Sequence, residues 1–179
     1  MLSSLKKLFV SPPPTVAHEA YIALVATARN PFFFESLGVP DTLDGRFELI
    51  VLHLFLLQHR LLKENAEATE FSTQLSEVFF SDMDRSLREM GIADTGVKHR
   101  IKAMAKAYHG RLQVYAASLS DATQLRAALA RNLYGTVAEG DVTMLDKMAN
   151  YVESGRQHFA AIATEALCEN NFAWPAVKA

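Results

Sequence analysis

Apolar side chains recur along this chain at the 3.6-residue spacing of an α-helix, and no segment alternates β-branched and polar residues as a strand would. Five of the six prolines lie at or before Pro40 and the sixth is Pro175, so residues 41–174 lack the strongest helix breaker. The pattern therefore predicts an all-α fold, a single compact multi-helix bundle of about six helices. Capping and turn residues place them at 15–29, 44–63, 66–90, 96–118, 122–134 and 143–169. Asp94 or Thr95 is the predicted cap of the fourth helix, and Asp121 with Gln124 that of the fifth.

The length of 179 residues suits one domain whose core needs no disulfide or metal. We predict an N-terminal tail at 1–14, an all-helical domain at 15–170 and a C-terminal tail at 171–179. The single cysteine, Cys168, cannot form an internal disulfide, which indicates a reducing compartment.

The expected location is the cytoplasm, with a possible peripheral contact at the inner membrane. The first residues lack the long apolar region of a secretory signal. The most apolar run, residues 49–62, is interrupted by His53, His59 and Arg60 and falls short of the roughly 20 residues that a spanning helix needs. The apolar and basic residues at the start of the chain either touch a membrane surface or form a frayed end; they are Leu2, Leu5, Lys6, Lys7, Leu8 and Phe9.

The predicted helix at 44–63 is apolar on nearly every side, so it is expected to be buried by its neighbours. Its polar residues Arg46, His53 and Arg60 are seven residues apart and form one stripe that needs acceptors. On the predicted helix at 66–90, Asp82 lies close to the apolar face, and a partly buried carboxylate needs a cation or several donors.

These two observations predict a structural ion pair between the helices. It would join Asp82 or Glu89 to one of Arg46, His53 or Arg60 and fix how the two helices meet.

The segment FFSDMDRSLREMGIADTG, residues 79–96, concentrates acids and arginines that could indicate an active site. Asp84 and Arg88, four residues apart, are instead expected to form a solvated pair. Asp82 and Asp84 point about 200° apart on a helix, which argues against a shared metal. No nucleophile beside a base, HExxH, P-loop or GxGxxG occurs. We therefore predict no enzyme, no catalytic residue, no metal site and no cofactor.

Charge is unevenly distributed although the formal net charge is only -2. Residues 64–95 hold eight acids against two arginines, whereas residues 96–120 hold five cations and no acid. Such a basic helix can bind ribosomal RNA or anionic lipid heads, or it can be a solvated face paired with the acidic helix before it. The candidates for anionic-surface binding are Lys98, Arg100, Lys102, Lys106 and Arg111. The low total charge argues against a DNA partner.

Three consecutive aromatic residues, Phe32, Phe33 and Phe34, follow Pro31. Neither a helix nor a strand can bury three neighbouring side chains on one face. They are candidates for docking a client or partner protein, or they plug a linker against the core.

Four stretches within roughly residues 40–135 form a recognisable pattern: LDGRFELIVLHLFLLQHRL, LSEVFFSDMDRSLREMGI, YHGRLQVY and LARNLYG. Together they resemble the ubiquinol-cytochrome c chaperone family. The resemblance implies an assembly factor: mitochondrial members bind newly made cytochrome b near the ribosomal exit tunnel and pass it towards respiratory complex III with a small partner protein. The start of the chain does not resemble a mitochondrial presequence, which favours a bacterial member.

The partners expected from this resemblance are cytochrome b or another nascent membrane protein, the ribosome and a small assembly partner. Two other classes of function remain open. One is a generic protein-interaction module. The other is a haem-binding or lipid-binding helical domain with His53 or His109 as a candidate ligand, although a histidine on an apolar helix is more typical of a hydrogen-bonded core.

Overall fold

The structure is a computed structural model that describes residues 15–62, 64–135 and 142–177. Those residues form α-helices without any strand, six of them long and two of five residues. The prediction of an all-α bundle is confirmed. The helices are α1 (Val16–Ala28), α2 (Pro31–Glu35), α3 (Leu43–Leu61), α4 (Ala66–Glu89), α5 (Asp94–Ser118), α6 (Ala122–Leu133), α7 (Val142–Ala160) and α8 (Thr164–Cys168).

Helix α3 lies at the centre of the bundle. Every residue from 48 to 58 is buried, and α1, α4, α5, α6 and α7 all pack against this helix. A helix that is apolar all round is stable only when neighbours cover it on every side. The predicted burial of this segment is therefore confirmed.

Short polar side chains cap the N-termini of several helices, including α3. Thr15, Thr42 and Asn65 accept hydrogen bonds from the free backbone N–H groups of α1, α3 and α4. Asp121 caps α6 as predicted, accepting from the backbone of Thr123 and Gln124. Helix α5 differs from the prediction, because Ala93 precedes it and makes no side-chain cap.

The structure departs from the predicted helices in two places. The short helix α2 was not predicted; Asn30 caps it by accepting from the Phe32 N–H, and Pro31 occupies its first position. The predicted single helix at 143–169 is broken into α7 and α8. Arg60 of α3 explains the break, because it donates to the carbonyls of Phe159 and Ile162 at 3.1 and 3.0 Å and so satisfies acceptors at the end of α7.

The two predicted tails differ in what can be described. Residues 1–14, with the predicted membrane contact at the start of the chain, lie outside the described residues. Residues 171–177 have no regular secondary structure and pack against α7, where Pro175 is buried. No helix within the described ranges is both long enough and apolar enough to cross a bilayer.

Candidate functional site

The acid and arginine cluster of α4 lies on the outside of the helix bundle. Asp84 pairs with Arg88 at 2.6 Å, and Arg88 also contacts Asp94 in the next helix. These side chains are 40–77% exposed, so the pairs stabilise the fold only weakly. The predicted solvated pair is confirmed.

Asp82 is only 19% exposed and accepts a hydrogen bond from the hydroxyl of Tyr21 at 2.9 Å. Arg85, one turn along α4, provides its counter-charge. Burial and the adjacent carboxylate raise the pKa of Tyr21 well above its usual value, so the phenol remains a donor at any physiological pH. The partial burial of Asp82 is as expected, but α1 supplies its interhelical partner.

The predicted ion pair between α3 and α4 is wrong. Arg46 binds Asp41 at 2.6 Å, and Arg60 binds Glu64 at 2.8 Å. Glu89 lies 3.9 Å from Arg85 of its own helix. The physical reason is the direction of the α3 stripe: its His53 and Arg60 face α7 and the chain that follows it, rather than α4.

His53 is a fully buried core residue. Its Nδ1 lies 2.7 Å from the Leu49 carbonyl and its Nε2 lies 2.8 Å from the Tyr151 hydroxyl. Burial lowers the pKa of His53 from 6.5 to about 4, so the ring is neutral at pH 7. Because both ring nitrogens already have partners, His53 is unsuited to bind a haem iron in this conformation.

The five candidate cations of α5 are not one group. Lys98, Lys102 and Lys106 are exposed, share one side of the helix and extend over about 12 Å along its axis. None of the three pairs with an acid in the described part of the chain, so the predicted alternative of pairing with α4 is not formed there. We refer to Lys98, Lys102 and Lys106 as the lysine face. Arg100 is exposed but points about 160° away from it.

Arg111 is not part of the lysine face, because it is paired with an acid of α3. Its guanidinium donates two hydrogen bonds to Glu48 of α3, at 3.1 and 2.8 Å. Glu48 is buried, and desolvation raises its pKa despite the opposing effect of Arg111. The sequence analysis did not identify Glu48 as the partner of Arg111. One signal existed, because Glu48 is the single acid between residues 47 and 62.

The three phenylalanines take different positions. Phe33 is completely buried and meets His53 and Tyr151 edge-on, with ring centroids 5.4 and 5.1 Å apart. Phe32 is half-buried and lines an open groove of about 570 Å³ beside α7. Phe34 is also half-buried and packs against the core. Phe33 therefore plugs the core, and Phe32 remains available to a groove ligand.

A larger groove of about 870 Å³ runs between α1 and α4. Its apolar wall includes Ile22, which is 55% exposed, together with Val25 and Val78. Arg29 and Glu77 are among its charged residues, so the groove carries both signs of charge. Within the described ranges, no cluster of three or more histidine, cysteine, aspartate or glutamate side chains is positioned to hold a metal ion.

Comparison with known proteins agrees with this architecture. The ubiquinol-cytochrome C chaperone family matches residues 35–174. The crystal structure of the Cbp3 homolog from Brucella abortus superposes with a TM-score of 0.80 at 35% identity, covering 90% of this chain and 89% of that one. Ubiquinol-cytochrome-c reductase complex assembly factor 1 of Xenopus laevis is 26% identical over 136 residues, 75% of this chain and 68% of the relative. The chain therefore belongs to the ubiquinol-cytochrome C chaperone family.

Proposed function

We propose that this protein is a non-catalytic assembly chaperone, which holds newly made cytochrome b during the biogenesis of respiratory complex III. The observation that carries the proposal is the family match over residues 35–174, together with the close structural likeness to the Cbp3 homolog. The Xenopus laevis relative is by name a reductase complex assembly factor, which supports the same step. The Brucella abortus neighbour supports a bacterial member.

The surfaces described above suit a binding role. Polar residues of the interior are engaged in packing the helices: Glu48 with Arg111, Gln58 with Tyr108, and His53 with Tyr151. The exposed features that suit this role include the lysine face and the groove beside α7. An enzyme would need a positioned nucleophile or acid and base, whereas a chaperone needs accessible apolar surface and a means of staying near its client.

The lysine face is the proposed contact with an anionic surface, either ribosomal RNA or the heads of anionic lipids at the inner membrane. Three lysines without intervening acids attract phosphate groups at low ionic strength. The groove lined by Phe32 is the proposed contact for client or partner. A small assembly partner protein fits the same scheme.

Cross-linking tests the proposed client. A tagged copy in cells that grow by respiration is cross-linked during active synthesis of complex III, and the captured proteins are identified by mass spectrometry. We expect cytochrome b among them, and an untagged strain gives the background. Recovery of soluble metabolic enzymes alone would favour a generic interaction module.

A further inference from the structure

The C-terminal strap, defined as residues 171–177, anchors itself in the bundle through aromatic side chains. Phe172 and Trp174 pack against Phe159 of α7, with ring centroids 5.7 and 5.3 Å apart. Trp174 also reaches His53 of α3 at 5.9 Å. A segment with no regular secondary structure thus inserts its tryptophan against two interior residues.

The strap is held by side-chain packing far more than by hydrogen bonds. Among the described residues, positions 172–177 make no backbone-to-backbone hydrogen bond with the helices. His158 Nε2 donates to the Ala173 carbonyl at 2.7 Å. The Nε1 of Trp174 is buried and meets no acceptor from the described residues. A segment held in this way opens at a lower cost than the bundle itself.

An open groove continues directly from the strap. Its lining includes the apolar or aromatic side chains of Phe32, Leu37, Tyr151 and the strap residue Pro175, and its volume is about 570 Å³. Four polar residues also line it: Lys147, Asn150, Ser154 and His158. A second extended segment could enter beside Pro175 and follow the groove towards the position of Trp174.

We infer that the strap occupies a client-binding site, and that an extended apolar segment with an aromatic anchor exchanges with it. The strap itself shows which chemistry fits, because its sequence NFAWPAV contains no charged residue. Naming the occupant as a client segment rests on the proposed function. The exchange itself rests on the contacts of the strap and on the groove beside it.

Tethering explains why such a site stays closed in the free protein. A covalently attached segment competes at an effective concentration on the order of millimolar, so a client must add contacts in the groove to displace it. Meanwhile the strap covers aromatic surface that would otherwise promote aggregation. The arrangement gives a chaperone a site that opens only when an apolar segment is offered.

Peptide binding to the full chain tests the exchange. The probe is fluorescein-labelled NFAWPAV-amide, and its anisotropy is measured with wild type, Trp174→Ala and Ile22→Ala. Ile22 lies in the α1–α4 groove, so Ile22→Ala is a matched control that should behave as wild type. We expect Trp174→Ala, folded by circular dichroism, to bind at least tenfold more tightly than wild type. Equal or undetectable binding by the folded variant would overturn the inference.

A second measurement uses the wild type and decides the question if Trp174→Ala does not fold. Trp174 is the only tryptophan of the chain, so its emission reports the strap directly. A tryptophan-free peptide, NFAFPAV-amide, added to millimolar concentration should shift that emission to the red as Trp174 enters water. Unchanged emission would contradict the exchange. Neither assay uses cytochrome b, so failure of the proposed function would leave both results intact.

Discussion

Arg111 on α5 holds the carboxylate of Glu48 on α3 through two hydrogen bonds, at 3.1 and 2.8 Å. The side chain of Arg111 is 30% exposed and that of Glu48 is 9% exposed, so the pair lies at the edge of the interior. It connects the central helix to the helix that carries the lysine face. The pair therefore fixes the face relative to the core.

Removing one partner should destabilise the bundle. Glu48→Ala leaves a partly buried guanidinium without its acceptor, and we expect a loss of about 2 kcal/mol in the free energy of unfolding. Urea unfolding measures this loss. The control is Asp84→Ala, which breaks an exposed pair and should cost less than about 0.5 kcal/mol. Equal losses for the two variants would contradict the structural role of Glu48.

The buried His53 should make the protein less stable in acid. Its pKa is about 4 in the folded protein against 6.5 ordinarily, so between these values the unfolded chain binds the additional proton. The stability contributed by neutral His53 is fully present above pH 6.5 and is lost as the pH falls towards 4. At pH 4.5 the loss in the free energy of unfolding is about 2 kcal/mol. Urea unfolding at pH 7 and 4.5 measures it. His53→Gln should remove that part of the pH dependence, and an unaltered dependence would refute the assignment.

Arg60 should stabilise the junction between α7 and α8. Its guanidinium donates hydrogen bonds to the carbonyls of Phe159 and Ile162. Arg60→Ala leaves these acceptors unpaired. We expect a loss of about 2 kcal/mol and faster hydrogen exchange in residues 159–168. Arg46→Ala removes an arginine from the same helix but breaks only an exposed pair with Asp41, so it is the matched control. Unchanged exchange in Arg60→Ala would exclude the capping role.

The lysine face should determine binding to anionic surfaces. Reversing Lys98, Lys102 and Lys106 to glutamate should abolish co-sedimentation with ribosomes or with vesicles containing anionic lipid at low salt, because phosphate contacts depend on these charges. Comparing the two sediments identifies which surface is bound.

The control for this reversal changes the net charge equally. Arg29 directly follows α1, and Arg131 and Lys147 lie on α6 and α7. All three are exposed and form no ion pair within the described chain, so their reversal should leave binding largely intact. If both triple variants lose binding to the same degree, total charge rather than the lysine face is responsible.

The helices could be predicted from local signals in the sequence. Only part of the candidate site could be predicted in the same way. The burial of α3 could be predicted because its apolar residues surround the helix, and the cap at Asp121 because short polar side chains satisfy local backbone groups. The partners of Asp82 could not be predicted in this way. Its Tyr21 lies 61 residues away, and only the packing of α1 on α4 brings the two together.

The break before α8 and the Trp174 strap share the same cause. Both involve side chains of α3: Arg60 donates to the carbonyl of Phe159, 99 positions later in the chain, and the ring of His53 contacts the ring of Trp174, which lies further along still. No periodicity within residues 143–177 records those contacts. The same holds for Arg111, because its partner Glu48 lies 63 residues away in the sequence and only the packing of α5 on α3 brings the two together.

A deletion strain tests the role of the protein in complex III biogenesis. Reduced-minus-oxidised spectra of its membranes measure assembled cytochrome b, and a plasmid copy of the wild-type chain provides the comparison. We expect a strong loss of the cytochrome b signal, which the plasmid copy restores. Normal cytochrome b in the deletion strain would contradict it.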